Sequence, residues 1–316
     1  MKTYITRYGD LRGIGMYTAY NDGQLRDCSL EEHTRLDTPY GVLIPQYTCD
    51  YRRKNNYGIS FYPDGTLRRI SLEQAAEIAT PLGTMRAELI TFYPGGGLRR
   101  VFPLNGQLSG YWEEKDEYQL AKELTFELSF GQITARPIAV SFYESGRLKD
   151  ITFWPQEKLE LQTPLGRINA RTGISLYPDG SLRSLEPAYP RRLPTPIGML
   201  LAYDRNANGI CGDVNSLNFT EDGSLSSLIT SGNTITVLDR KGQSIAAYSP
   251  HQAADEDGDL ISFETLSVEF SGEDIILNHN SRYDIRSHEF IIGRYTVTAI
   301  SRCDSCESCN MRCSGF

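Results

Sequence analysis

The chain has 316 residues, 40% of them hydrophobic, with 28 Gly, 15 Pro and a formal net charge of −8 at pH 7. This composition is typical of a turn-rich globular protein and argues against intrinsic disorder. The acidic balance disfavours wholesale binding to nucleic acid or to an anionic membrane, because both carry negative charge.

The first ten residues lack the apolar segment of a signal peptide, and no run of about 18 apolar residues predicts a transmembrane helix. We therefore expect a cytoplasmic protein. In that compartment the seven cysteines are thiols or metal ligands rather than a disulfide framework.

A turn motif, Tyr-Pro-Asp-Gly-x-Leu and its variants, recurs along most of the chain. It occupies residues 20–25, 62–67, 93–98, 143–148, 177–182 and 220–225. Pro presets φ for a turn, and Gly supplies the left-handed residue that closes a bulged hairpin. Each copy therefore predicts a β-hairpin.

A second motif, Thr-Pro-x-Gly, alternates with the first at residues 38–41, 80–83, 163–166 and 195–198. Its Pro and Gly positions suit a type I turn. The segments between the two motifs are of strand length and rich in β-branched and aromatic residues. Equivalent positions two residues apart predict one shared sheet face, and they are Ile59/Phe61, Ile90/Phe92, Val140/Phe142 and Ile174/Leu176.

Short strands joined by tight turns predict an antiparallel meander, because parallel pairing needs long crossovers. We predict an all-β protein, built as an elongated β-meander repeat array of roughly a dozen strands. Residues 1–240 form the array, 241–300 an irregular C-terminal β cap, and 301–316 a Cys-rich tail. Short helices are expected only at 71–78 and within 112–124.

The aromatic-x-(Asp/Gly)-Gly-x-Leu hairpins resemble the MORN family, and more closely the bacterial MORN-like repeats found in some toxin–antitoxin proteins. The resemblance covers roughly residues 15–240. It implies a scaffolding, protein-binding or phospholipid-binding role, and it does not imply catalysis.

Two units of the array are expanded by about ten residues, within 46–57 and within 203–214. The first insertion carries Cys49 and the second carries Cys211. Insertions in a repeat array map to loops, often on a binding face.

A basic residue follows the Leu of five hairpins. These residues are Arg26, Arg68, Arg99, Lys149 and Arg183, with Arg69 and Arg100 next in two copies. Stacked across the array, they predict a positive stripe able to bind anionic lipid headgroups or an acidic protein partner. The alternative is a solvated sheet surface, paired across strands with acidic residues such as Glu73, Glu77 and Glu88.

Four cysteines lie close to the C-terminus, at Cys303, Cys306, Cys309 and Cys313. Their spacing, C-x2-C-x2-C-x3-C, equals a bacterial ferredoxin run, except that Ser314 stands where that run has proline. Thiolates at this spacing suit an iron–sulfur cluster or zinc. The alternative is a reactive or disulfide-forming tail without metal.

The choice of ligands within this run stays open. In two-cluster ferredoxins the fourth cysteine serves the other cluster, and this chain has one run. A single cluster would then use the first three tail cysteines plus Cys313, Cys49 or Cys211. Zinc held by all four tail cysteines is the simpler arrangement.

The sequence contains no hydrolase or phosphate-binding motif, and its four histidines are scattered. The first hypothesis is therefore a non-enzymatic β-repeat interaction scaffold with a metal-binding cysteine tail. The second is a redox accessory protein that carries a [4Fe–4S] cluster and docks to a partner enzyme. A third is an enzyme that uses the cysteines of the two insertions.

Overall fold

The computed structural model describes residues 3–54, 57–207, 212, 215–254 and 261–296. Its first strands are β1 Tyr4–Thr6, β2 Gly9–Leu11, β3 Ile14–Ala19, β4 Leu25–Leu30, β5 Leu36–Thr38, β6 Gly41–Leu43, β7 Ile59–Phe61, β8 Leu67–Thr80, β9 Gly83–Phe92 and β10 Leu98–Phe102. The central elements are α1 Glu114–Leu120, β11 Leu124–Leu128, β12 Gly131–Ala135, β13 Pro137–Phe142, β14 Leu148–Phe153, β15 Leu159–Thr163, β16 Gly166–Leu176, β17 Leu182–Pro187, β18 Arg191–Thr195, β19 Gly198–Ala202 and β20 Leu217–Phe219. The last are β21 Leu225–Thr230, β22 Asn233–Leu238, β23 Ser244–Tyr248, β24 His251–Ala254, β25 Ile261–Glu264, β26 Leu266–Ser271, β27 Asp274–Leu277, β28 Ser281–Asp284 and β29 Glu289–Arg294.

One antiparallel sheet of 16 strands organises the chain. Its spatial order is β3, β4, β7, β8, β9, β10, β13, β14, β16, β17, β20, β21, β26, β27 and β28, with β15 paired to β16. The strands of this main sheet stand in chain order, and the hairpins β5–β6, β11–β12 and β18–β19 are inserted between neighbouring strands as separate small sheets. The predicted all-β antiparallel meander is confirmed. Within the described ranges, no helix has the length and apolarity to span a membrane.

The Tyr-Pro-Asp-Gly-x-Leu motifs form the hairpin turns of this sheet. Their six glycines have φ between 79° and 91°, the left-handed conformation that glycine adopts without a Cβ penalty. In the second copy, the Gly65 N–H donates to the Tyr62 carbonyl and the Tyr62 N–H to the Thr66 carbonyl. The equivalent bonds recur in the other five copies.

The residue after each motif leucine is the extra residue of a β-bulge. In the second copy Phe61 pairs with Leu67 but Ser60 pairs with Arg69, so Arg68 has no partner in the pairing. Because Leu67 and Ile70 both point into the core, Arg68 and Arg69 lie together on the opposite face. The same register shift occurs at the other predicted basic positions, Arg26, Arg99, Lys149 and Arg183.

One face of the main sheet is the hydrophobic core. The residues predicted to share it are all at most 2% exposed: Ile59, Phe61, Ile90, Phe92, Val140, Phe142, Ile174 and Leu176. Hairpins turned by the Thr-Pro-x-Gly motifs pack over this face. Their buried side chains join the same core cluster, including Leu36, Leu43, Ile78, Met85, Leu161, Ile168, Leu193 and Leu200.

A tyrosine hydroxyl links each hairpin to the next. Tyr20 donates to the carbonyl of Phe61 at 2.9 Å, and Tyr62 to that of Phe92 at 2.8 Å. Three further hairpins repeat this bond at 2.8 Å, through Tyr93 to Phe142, Tyr143 to Leu176 and Tyr177 to Phe219. Each such bond contributes about 0.5–1.5 kcal/mol and fixes the spacing of consecutive units.

The two expected helices have different outcomes. The expectation within 112–124 is confirmed by α1, whereas 71–78 is wrong because these residues lie in β8. Ala76 pairs with Ala87 there, and Ile78 and Met85 enter the core. Burial of these side chains in the hairpin outweighs the helix propensity of residues 73–76, Glu-Gln-Ala-Ala.

The face opposite the core carries a row of polar side chains, here called the polar face. Cross-strand partners continue it from strand to strand through Asp27, Ser60, Arg69, Thr91, Arg100, Ser141, Asp150, Ser175 and Ser184. Several members are buried, among them Ser141, Asp150 and Ser184. Loops therefore cover part of this face, and these loops include the two insertions.

Candidate binding surface

The first insertion leaves and rejoins the sheet alongside β8. The Gln46 N–H donates to the Ser71 carbonyl at 2.8 Å, and the Ser71 N–H donates to the Gly58 carbonyl at 2.7 Å. The backbone and hydroxyl of Thr48 bond the Glu73 carboxylate at 3.1 and 2.5 Å. Both ends of the insertion are thus fixed to one strand, and its middle forms a loop.

The middle of this loop is a tight turn set by Asp50. Its carboxylate accepts the N–H groups of Arg52 and Arg53 at 2.8 and 2.6 Å. The turn directs Tyr51 outwards, where the residue is 66% exposed. It directs Arg52 inwards, where the side chain is 14% exposed.

Arg52 bridges two buried carboxylates. Its guanidinium donates to Glu117 through Nε at 2.8 Å and Nη2 at 2.7 Å, and to Glu88 through Nη2 at 2.7 Å. Glu88 lies on β9 and Glu117 on α1, so one side chain joins the insertion, the sheet and the helix. We call these three residues the ion cluster.

Further donors complete the ion cluster. The Asn105 N–H donates to Glu88 at 2.9 Å, and the Gly106 N–H donates to Glu117 at 2.8 Å. The Trp112 indole N–H reaches Glu117 at 2.7 Å. The loop between β10 and α1 is thereby fastened to the same charges as the insertion.

The ion cluster shifts the pKa values of its members. Burial opposes the charged form of Glu117, but hydrogen bonds from Arg52 and Trp112 outweigh it and lower the pKa of Glu117 below its ordinary value. Burial likewise opposes the charge of Arg52, while its bonds to Glu117 and Glu88 raise its pKa. Both groups are therefore charged at neutral pH.

The lowered pKa of Glu117 predicts an acid-sensitive loop. Its contribution to stability is complete above the ordinary carboxyl pKa of about 4.3 and is lost as the pH falls through the lower folded value. We expect the NMR signal of the Trp112 indole N–H to shift in a titration from pH 6 to pH 2.5, mainly below the ordinary carboxyl pKa of about 4.3.

The chain's second tryptophan is the internal control for this titration. The ring of Trp154 lies 5.8 Å from that of Tyr118 on α1, but its buried indole nitrogen has no hydrogen-bond partner among the described residues, so its signal should shift much less than that of Trp112. Equal shifts of both indoles would show general acid unfolding and would contradict the assignment.

Large apolar side chains are exposed directly above the ion cluster. The rings of Tyr51 and Trp112 lie 5.4 Å apart between centroids. The Ser109 N–H bonds the Trp112 carbonyl at 2.9 Å, and this turn presents Tyr111 at 88% exposure and Leu108 at 66%. We call Tyr51, Leu108, Tyr111 and Trp112 the aromatic surface. Clustered exposed aromatic side chains are typical of an interaction site.

The second insertion is held down differently. The Gly212 N–H donates to the Thr152 hydroxyl at 2.9 Å, and the Asn215 amide donates to Ser184 at 2.8 Å. Burial raises the pKa of Glu186, although the N–H of Ser216 bonds its carboxylate at 2.8 Å. The described part of this insertion therefore covers the polar face rather than projecting from it.

The five predicted basic residues stand on every second strand of the main sheet, Arg26 on β4, Arg68 on β8, Arg99 on β10, Lys149 on β14 and Arg183 on β17. Adjacent strands are about 4.8 Å apart, so consecutive members are roughly 10 Å apart along the sheet. Three guanidinium groups lie within 6 Å of the ring of their own hairpin's tyrosine: Arg26 on Tyr20, Arg99 on Tyr93 and Arg183 on Tyr177. Their role in anion binding stays a prediction.

Acidic residues accompany two of these positions. Arg26 Nε lies 3.3 Å from Asp27, and Lys149 Nζ lies 3.9 Å from Asp150. The expected partners Glu73 and Glu88 instead bond the first insertion. Two of the five basic residues are therefore paired locally, with different carboxylates than the sequence suggested.

Among the described cysteines, Cys49 is exposed in the first insertion and Cys28 is buried in the core. Burial, with a smaller contribution from Asp27, raises the pKa of Cys28 to about 12, so it is a neutral thiol. The predicted ligands Cys303, Cys306, Cys309, Cys313 and Cys211 lie outside the described residues. The part of the chain that is described contains no group of three or more His, Cys, Asp or Glu side chains able to hold a metal.

Sequence reasoning placed a binding face at the insertions but missed the ion cluster and the aromatic surface. The available signal was Tyr111-Trp112, an aromatic pair in a polar segment outside the hairpin motifs. The spacing of residues in the sequence could not predict that Arg52, Glu88 and Glu117 meet. The fold brings them together from an insertion, a strand and a helix.

The main sheet and the fastened loops define an all-β hairpin-array protein with one prominent aromatic surface. No family model matches the chain, and no curated protein and no solved structure is significantly similar to it.

Proposed function

We propose that the chain is an interaction scaffold that binds a protein partner on the aromatic surface. The observation that supports this most is the position of Tyr51, Leu108 and Tyr111 above a buried ion cluster. Large side chains held in place before binding lose little conformational entropy when a partner covers them. Tyr and Trp are also the residues most enriched among binding hot spots.

The charge beside the aromatic surface indicates the chemistry of the partner. The neighbouring basic residues Arg53, Lys54 and Arg69 line a cleft next to it. The partner is therefore an acidic segment that also offers apolar side chains. Opposite charges would raise its rate of association and fix its orientation.

Truncation of the exposed tyrosines tests this proposal. Tyr51→Ala and Tyr111→Ala should each reduce the affinity for a captured partner by about 30-fold, since a hot spot is worth at least about 2 kcal/mol. Affinity would be measured by surface plasmon resonance on the partner recovered from a cell extract. Tyr189→Ala, which removes a comparably exposed tyrosine elsewhere, is the control and should leave affinity unchanged. Equal losses in all three variants would contradict the proposal.

The proposal includes a metal-binding role for the C-terminal cysteine run. Its spacing supports this role, because four thiolates within eleven residues suit zinc or an iron–sulfur cluster. Anaerobically purified protein should contain near-stoichiometric zinc or iron by elemental analysis. Protein with neither metal would contradict this part of the proposal and leave the aromatic surface unaffected.

The redox accessory role is the second candidate, and the same run supports it. A brown protein whose visible absorbance is bleached by dithionite would favour the [4Fe–4S] form, docked to a partner enzyme. A colourless protein with zinc would favour the scaffold with a structural metal.

A further inference from the structure

A small basic cleft lies between the first insertion and the polar face of the main sheet. Its walls include Arg53, Lys54, Tyr57, Arg69, Asn105 and Gln107, and its volume is about 10 Å³. That is room for about one water molecule. The lining residues in the described part of the chain include no carboxylate.

Arg53 brings an unsatisfied donor to this cleft. Its Nη1 donates to the carbonyls of Leu72 and Glu73, each at 2.9 Å. Its Nε is buried and has no hydrogen-bond partner among the described residues. A buried donor of a charged group without an acceptor is costly, so this atom is set for an acceptor from outside the chain.

Arg69 brings a second charge without a counter-ion. It stands between Ser60 and Thr91 in the row on the polar face, and in the described chain its guanidinium forms no hydrogen bond or ion pair. The nearest opposing charge is Asp27, which already accepts from Ser60 and Thr18 at 2.7 Å. Burial consequently lowers the pKa of Arg69.

Other lining residues form hydrogen bonds within the chain and so hold the cleft in shape. The Gln46 amide donates to the carbonyls of Thr48 and Lys54 at 2.8 and 3.3 Å. The Asn105 amide donates to the Ser71 hydroxyl at 3.3 Å. The Glu73 carboxylate accepts the Thr48 hydroxyl at 2.5 Å, and the charge of Arg53 helps to lower its pKa. The described lining of the cleft thus holds two guanidinium groups in fixed positions, and it contains no carboxylate.

We propose that this cleft binds one carboxylate group, received by the guanidinium of Arg69 and by Nε of Arg53. A planar guanidinium matches the two oxygens of a carboxylate, and the cleft has room for one of these oxygens in the space of a water molecule. The identity of the carboxylate as an acidic side chain of the protein partner rests on the proposed function. The proposal that the cleft binds a carboxylate does not rest on the proposed function.

Sodium acetate is the probe that tests the site. Added to ¹⁵N-labelled protein at constant ionic strength, it should cause saturable shifts of the Arg53 and Arg69 Nε–H signals. Arg69→Gln should weaken acetate binding at least 10-fold, as read from Arg53. Arg68→Gln, at the exposed neighbour in the same bulge, should leave it unchanged.

Three results would overturn the site: shifts that never saturate, equal weakening by Arg68→Gln, or saturation by inorganic phosphate but not by acetate. If Arg69→Gln disturbs the fold, Arg69→Lys replaces it. This variant keeps the positive charge but lacks the planar pair of guanidinium N–H donors, so it should still weaken acetate binding. Tyr111→Ala should retain acetate binding. If acetate never saturates while Tyr111→Ala still loses partner binding, the cleft alone has failed. If Tyr111→Ala keeps full partner binding while acetate saturates, the proposed function alone has failed.

Discussion

Replacement of Arg52 with alanine is expected to lower the free energy of unfolding by about 3–5 kcal/mol. The substitution removes the cation from the ion cluster and leaves the Glu88 and Glu117 carboxylates buried without it, and uncompensated buried charges cost this much. The measurement is the urea midpoint followed by circular dichroism. Trp112 fluorescence would report release of the loop in the same experiment.

A matched variant and a rescue separate charge from packing. Arg68→Ala removes an exposed arginine nearby and should change stability by less than about 0.5 kcal/mol. Adding Glu88→Gln and Glu117→Gln to Arg52→Ala should restore part of the loss, because the amides carry no charge. A triple variant less stable than Arg52→Ala would show that packing, and not unpaired charge, determines the effect.

The second large effect is expected at the centre of the main sheet. Phe142 is fully buried on β13, and its carbonyl accepts the Tyr93 hydroxyl from the preceding hairpin. Phe142→Ala should cost about 3–5 kcal/mol, from lost burial and from the cavity that remains. Chemical denaturation measures this cost.

The control for Phe142→Ala is a ring of similar size at an exposed site. Tyr111→Ala should change the unfolding free energy by less than about 0.5 kcal/mol. A cost below 1 kcal/mol for Phe142→Ala would contradict the assignment of this face as the continuous core of the hairpin array.

Much of the fold follows from local sequence. The Gly of each Tyr-Pro-Asp-Gly-x-Leu motif specifies a left-handed turn residue, and positions such as Val140 and Phe142 then fall on one face by strand periodicity. The core and the order of the hairpins could therefore be predicted without knowledge of any long-range contact. Leu67 and Ile70, three residues apart, both enter the core, and the bulge at Arg68 makes this possible.

The remaining features depend on contacts that local patterns do not encode. Residues 71–78 are good helix formers, yet they form a strand paired with β9, because this pairing buries Ile78 in the core. The ion cluster joins residues 36 and 65 positions apart in sequence, and no spacing rule connects them. The run of basic residues along the hairpins, with Arg69 after Arg68, was visible in the sequence, but the burial of Arg69 was not.

The central claim is that the aromatic surface contacts a protein partner, and site-specific photocross-linking tests it most directly. The full chain would carry benzoylphenylalanine at position 111, with the same group at position 189 as the control, in a native cell extract. We predict one discrete cross-linked product from position 111, absent from position 189 and weakened by Arg52→Ala. The same products from both positions, or none from position 111, would contradict the account.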